Sequence, residues 1–180
     1  FSGTGKSTLA AALALILGAA PGALHVRADA ERKAMFGVPE TARLPVASYT
    51  PATSQRVYAA MMEKARRALG AGHSVVMDAV FSQPEERAAA AAVAREAGVP
   101  LSALWLTAPH DVLLSRVESR HRDASDATSA VVEAQLARGA GALDWTEVVA
   151  SGSAGDTLAA AECIIAGKDG EQPETGRANE

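Results

Sequence analysis

The sequence predicts an α/β protein, a three-layer sandwich in which helices cover both faces of a parallel sheet. Three observations predict it. A glycine-rich segment at the start, Phe1-Ser2-Gly3-Thr4-Gly5-Lys6-Ser7-Thr8, runs straight into an apolar helical stripe. Short apolar runs of strand length then alternate with helical stripes, as strand–helix crossovers in parallel sheets require. The 180 residues, 48% hydrophobic and 21% charged, are ordinary globular material for one domain.

The elements follow in order. Leu9, Leu13, Ile16 and Leu17 recur at helical spacing behind Thr8, and Gly18 and Pro21 are expected to end that helix. Ala23 to Val26 reads as a short strand ending near Asp29. Thr50-Pro51 looks like an N-cap followed by proline at the first helical position, and Val57, Met61, Ala65 and Leu69 form the stripe behind it. Ser74 to Asp78 is a buried strand ending in a carboxylate. Ser82 and Glu85 have capping-box spacing, opening a helix that runs to Gly98. Leu101 to Leu106 is the next strand, and Pro109 opens a helix through about Arg120. His121 to Ala127 is polar; Val131, Val132, Gln135 and Leu136 suggest a helix beyond it. Glu147 to Ala150 is the last strand candidate, with Trp145 anchoring the crossover, and a final helix of about a dozen residues ends near Ala166. The domain is thus expected over 1–167, with 168–180 a polar disordered tail.

The opening segment is a Walker A motif, and each position has a physical task. Gly3 and Gly5 let the backbone wrap a phosphate with its N–H groups pointing inward, and Thr4 and Thr8 complete the cradle. Lys6 reaches the β- and γ-phosphates, and the Ser7 hydroxyl suits Mg²⁺. The helix that follows turns its positive dipole end toward the anion. The ligand is therefore expected to be ATP with Mg²⁺, and the fold that of a P-loop NTPase. The customary first glycine of the motif would stand one residue before Phe1, and the strand before it is not in the sequence. The chain reads as N-terminally truncated, its sheet lacking a middle strand. An apolar gap and low stability are expected in its place.

Other residues suit the same chemistry. Asp78, delivered by a hydrophobic strand to the sheet's C-terminal edge, is placed to hold Mg²⁺, the competing role being a loop or capping aspartate. Asp29, after the preceding strand, can orient or deprotonate an acceptor hydroxyl; an N-cap for a helix starting near Ala30 also fits, and the two roles are compatible. Arg32 and Lys33, one turn on, suit either an anionic substrate or a solvated helix face. Arg116 and Arg120 share a helix face, with Arg122 beyond; they can stabilise phosphoryl charge or form surface ion pairs with Glu118 or Asp123.

Composition excludes other classes. A net charge of −4 argues against broad nucleic-acid or anionic-membrane binding. No run approaches the ~20 apolar residues of a membrane span. The single cysteine, Cys163, leaves no internal disulfide or zinc cluster; it is expected to be a buried thiol in a reducing, cytoplasmic compartment. His73, His110 and His121 have no metal-ligand spacing, and His25 reads as a core histidine. Tyr49, Tyr58, Phe36 and Phe81 are first read as core.

The chain resembles the P-loop small-molecule kinases, a group that includes gluconate kinase, shikimate kinase and zeta-toxin-like enzymes. More narrowly it looks like the predicted kinases with an AAA-type ATP-binding domain, often fused behind an aminoglycoside-phosphotransferase-like domain. The stretches that carry the likeness are Gly3 to Thr8, Ala28 to Lys33 with Phe36-Gly37, Gly72 to Phe81, and Asp123 to Ala127. By that resemblance Lys6 and Ser7 serve ATP and Mg²⁺, Asp29 faces the acceptor, and Arg116 to Ala127 matches the family's lid, flanked by Arg116 and Arg120. Ala28 stands where relatives commonly place serine. The resemblance implies an ATP-dependent kinase with Lys6, Asp29 and Arg120 catalytic, acting on a small-molecule hydroxyl acceptor, with a possible fused N-terminal domain as partner. The alternative is a regulatory nucleotide-binding or ATPase module of a larger protein; a toxin-like kinase for a nucleotide sugar is a third reading.

Overall fold

The computed structural model describes residues 1–119 and 124–169. Seven helices and four strands alternate among them: α1 (Lys6–Ile16), β1 (Leu24–Arg27), α2 (Ala28–Met35), α3 (Pro51–Gly70), β2 (Val75–Asp78), α4 (Pro84–Ala97), β3 (Leu104–Thr107), α5 (His110–Glu118), α6 (Ser129–Arg138), β4 (Thr146–Val149) and α7 (Ala154–Asp169), with a short 3₁₀ turn at Val46–Tyr49.

All strand pairing is parallel, as expected, but it forms two separate ribbons. β1 pairs with β2, Arg27 opposite Asp78, and β3 pairs with β4, Leu104 opposite Thr146. Between β2 and β3 runs a cleft of about 550 Å³, lined by Leu9, Leu13, Val76, Leu104, Leu106 and Ile165 among others. This is the apolar gap expected in the middle of the sheet.

Because strand side chains alternate between faces, β2 serves two cores. Val75 and Met77 pack with Val57, Met61, Met62 and Ala65 of α3 and with Ala90 and Val93 of α4. Val76 packs on the other face with Leu9 and Leu13 of α1 and Ala161 of α7. Helices on both faces make the three-layer α/β sandwich. Phe81, ringed by Tyr58 and Trp145 with centroids 5.4 and 5.1 Å away, closes the first core and confirms Trp145 as a crossover anchor.

Helix ends follow local chemistry. Thr50 caps α3, its hydroxyl accepting from the Thr53 N–H at 3.1 Å, with Pro51 first in the helix. The capping box of α4 is Gln83 with Glu86, not Ser82 with Glu85. Pro84 occupies the first helical turn, where a missing N–H costs nothing, so the cap falls on the residue just before it. Gly98, at φ 66°, takes the left-handed position after α4.

Other boundaries move. α1 starts at Lys6 and ends at Ile16 instead of starting at Thr8 and reaching Gly18, and β3 starts at Leu104 because pairing with Thr146, not apolarity, sets its register. α7 has 16 residues and continues through Asp169, into the first two positions assigned to the tail; 170–180 lie outside the described residues. Cys163 is exposed, correcting the buried-thiol expectation, because Leu158, Ala161, Ile164 and Ile165 occupy the face of α7 that meets the core. Among the described residues no helix is long and apolar enough to cross a membrane.

Candidate active site

The phosphate loop has the backbone its glycines permit. Gly3 and Gly5 sit at φ 86° and 88°, in the left-handed region that side chains resist. Gly3 is doubly constrained: a Cβ there would stand 2.6 Å from the Leu113 carbonyl oxygen. Gly5 is the N-cap of α1, so the helix's unpaired N–H groups open toward the loop. Lys6 Nζ donates to the Phe1 carbonyl at 2.7 Å, and Thr4 Oγ1 donates to the same oxygen at 2.9 Å. Thr4 is buried, so its side chain braces the loop and only its backbone is left for a ligand. The Ser2 N–H donates to Gln135 Oε1 at 2.8 Å, tying the loop to α6.

Gly3, Thr4, Gly5 and Thr8 line a cavity of about 340 Å³ together with Arg116, Ala154 and Thr157. Arg116 therefore reaches a cavity beside the loop. Its guanidinium donates to the carbonyls of Ala150 (2.7 Å) and Gly152 (3.1 Å), clamping the β4–α7 turn beside the cavity. Arg116 does not pair with Glu118, which accepts from Ser129 Oγ. Arg120, Arg122 and Asp123 lie outside the described residues.

Ser7 and Asp78 meet. The Ser7 side chain lies beside the Asp78 carboxylate at the C-terminal end of β2, with His25 Nε2 3.6 Å and Arg27 Nε 3.3 Å from Asp78 Oδ2. Burial pushes the carboxyl upward, yet His25, Lys6, Ser7 and Arg27 together hold it below the usual range. His25 is thus a neighbour of the site as well as a strand residue. A hydroxyl and one ionised carboxylate are hard oxygen donors of the kind Mg²⁺ takes when substrate phosphates complete its shell. Among the described residues no cluster of three or more His, Cys, Asp or Glu side chains could hold a metal without such help.

Asp29 stands in the first turn of α2, inside the helix and not its N-cap, because β1 passes directly into α2 at Arg27–Ala28. Burial raises its carboxyl above the ordinary value; Lys6, the nearby Ser125 hydroxyl and Arg32 oppose the rise, and Asp78 adds to it. The loop lysine and both strand-end carboxylates are therefore within one electrostatic neighbourhood.

Arg32 and Lys33 are not a solvated face. Both are buried: Arg32 donates to the Ser48 carbonyl (3.2 Å) and Ser54 Oγ (3.3 Å) with its guanidinium 4.7 Å from the centroid of the Tyr49 ring, and Lys33 donates to the Glu40 carbonyl at 2.7 Å. Phe36 and Tyr49 are exposed, against the core reading; Tyr58 and Phe81 conform to it.

Sequence reasoning missed Ser125, Asp126 and Arg87 as site-supporting residues. The available signal was Asp126 beside Ser125 in a polar segment on which a family likeness rests. Arg87 donates to the carbonyls of Phe81, Ala140 and Ala142, holding the turn after β2 against the stretch before β4.

The fold is that of P-loop kinase structures. It is similar to a gluconokinase from Sinorhizobium meliloti 1021, with a TM-score of 0.62 and 21% identity over 93% of this chain and 88% of that one. It is also similar to a sugar kinase from Janibacter sp. HTCC2649, with a TM-score of 0.60 and 21% identity over 92% and 90% of the two chains. In sequence, uncharacterized proteins of Mycobacterium tuberculosis and Mycobacterium bovis are 35% identical over 147 residues, 79% of this chain. The chain spans 28% of the length of these curated relatives. The family described as AAA domain matches residues 1–141, a stretch holding the phosphate loop, Asp29, Asp78 and Arg116, and the chain belongs to it.

Proposed function

We propose that this domain is an ATP-dependent phosphotransferase that moves the γ-phosphoryl group of ATP to a hydroxyl of a small molecule. The observation that carries the reading is the placement of Asp29: a half-buried carboxylate in the field of Lys6 and near Asp78, its pKa raised by burial. A module that only binds nucleotide has no need of a base at the phosphate end, and one that hydrolyses it needs a base for water but no acceptor cleft. The kinase titles of the structural neighbours support the same reading by analogy of fold.

The loop's N–H groups and Lys6 hold the phosphates, and the α1 dipole adds to their pull. Ser7 and Asp78 would hold Mg²⁺, which when bound neutralises phosphate charge. Asp29, more basic than an exposed aspartate, accepts the acceptor's hydroxyl hydrogen and aims its oxygen in line with the γ-phosphorus. Arg116 holds the β4–α7 turn as the wall of the nucleotide cavity. We further propose that the domain works within a longer, multidomain protein, as the length of its curated relatives supports.

The experiment is incubation with Mg²⁺, γ-labelled ATP and a pool of gluconate, glucose, glycerol and kanamycin. A labelled organic product that disappears in Asp29→Asn, while ATP affinity persists, is expected. Label released only as inorganic phosphate favours the regulatory ATPase module.

A further inference from the structure

Asp126 is where three distant parts of the chain converge. Its Oδ2 accepts from the Leu44 N–H at 3.0 Å and from the Tyr49 hydroxyl at 2.6 Å; its Oδ1 accepts from Lys33 Nζ at 3.2 Å. The Lys33 side chain is 1% exposed and that of Asp126 10%. An ammonium so deeply buried needs an anionic partner, since desolvation otherwise expels its charge.

The alignment with α2 is specific. Asp29 and Lys33 are four residues apart, on one helical face. Asp126 bonds to Lys33, and the preceding residue, Ser125, lies near enough to Asp29 to influence its carboxyl, so the segment 124–127 runs along that face. The same carboxylate grips the loop between α2 and α3 at Leu44 and Tyr49, while Lys33 holds Glu40 and Arg32 holds Ser48. The loop from 38 to 50 is thus tied, through several polar bonds, to the helix that carries Asp29.

We propose that Asp126 is a positioning residue for phosphoryl transfer, holding the segment 124–127 beside Asp29 and fixing the 38–50 loop as a wall of the acceptor site. This rests on the phosphotransferase reading. The hydrogen bonds of Asp126 go to Lys33, Leu44 and Tyr49 and not to the phosphate loop, so its loss bears on the acceptor and not on the nucleotide. A carboxylate freed from its supporting segment loses the alignment that in-line attack demands, a misplacement worth on the order of 10²-fold in rate.

The test compares wild type, Asp126→Ala, Ser125→Ala and Tyr49→Phe in three measurements: labelled transfer from ATP to the pool of gluconate, glucose, glycerol and kanamycin, ATP hydrolysis without acceptor, and affinity for a fluorescent ATP analogue. Transfer is expected to fall on the order of 10²-fold in Asp126→Ala and less in the other two, with hydrolysis and nucleotide affinity unchanged. If Asp126→Ala does not fold because Lys33 is stranded, Ser125→Ala and Tyr49→Phe, which leave that pair intact, carry the comparison. Parallel loss of transfer, hydrolysis and nucleotide binding in these variants would mark a merely structural role and overturn the assignment, as would unchanged transfer. A wild-type chain that labels no acceptor overturns the phosphotransferase reading, and this assignment with it.

Discussion

The Ser7 side chain lies beside the Asp78 carboxylate, bringing the first turn of α1 against the end of β2. Each is a hard oxygen donor, and their proximity exists only because α1 packs across β2. Asp78→Asn removes the charge while preserving shape. We expect the apparent Mg²⁺ affinity in the presence of ATP to weaken by about 10- to 100-fold, with metal-free nucleotide binding little changed. A Mg²⁺ titration of activity or of nucleotide-binding heat checks it; an unchanged midpoint removes Asp78 from the metal's shell.

Asp29 should trade stability for chemistry. Its folded pKa is raised, so the stability it contributes is fully present below the ordinary carboxylate value and is lost as pH rises through the raised one. At neutral pH the buried charge is a cost, and Asp29→Asn should stabilise by on the order of 1 kcal/mol, a Tm rise of about 2–4 °C. The gain should vanish below pH ~4, where wild type is protonated too. Thermal melts at acid and neutral pH decide the matter, and a variant less stable at neutral pH contradicts it.

Gly3 and Gly5 share a backbone conformation but not an environment. Alanine at Gly5 meets open space and suffers only left-handed strain of about 1–2 kcal/mol. Alanine at Gly3 adds a collision with the Leu113 backbone, which cannot rotate away. Gly3→Ala should therefore lose more stability than Gly5→Ala and distort the loop's nucleotide site. Comparing the two variants' melting temperatures and ATP-analogue affinities tests the order; equal effects would mean that conformation alone matters.

The cleft between β2 and β3 leaves apolar side chains of α1, α7 and both strands beside unpaired strand edges. Such surfaces bind apolar dyes and weaken cooperativity. The polypeptide of residues 1–180 should bind anilinonaphthalene sulfonate and melt broadly at low temperature. A sharp calorimetric transition with a high midpoint, and no dye binding, would contradict this.

Local physics explains what the sequence alone disclosed. The phosphate loop was legible because its glycines, lysine and hydroxyl do their work within eight adjacent positions. The cap at Thr50, the stripe from Val57 to Ala65 and the carboxylate ending β2 were legible because turns and periodicities are properties of neighbours in sequence. Even the displaced capping box was a local matter, a misweighing of Pro84.

Only tertiary structure decided which polar groups go inside and whom they meet. Arg32 and Lys33 have the composition of a solvated helix face, and they are buried because the loop from 38 to 50 and Asp126 fold over them. Cys163 is exposed because neighbouring residues won the core-facing side of α7. The approach of Ser7 to Asp78, and of Ser125 to Asp29, depends on contacts between segments far apart in sequence. The burial energy of a charge depends on partners that no local pattern names, and so the sequence alone determined the phosphate loop and its helices, while tertiary structure decided the site around Asp29.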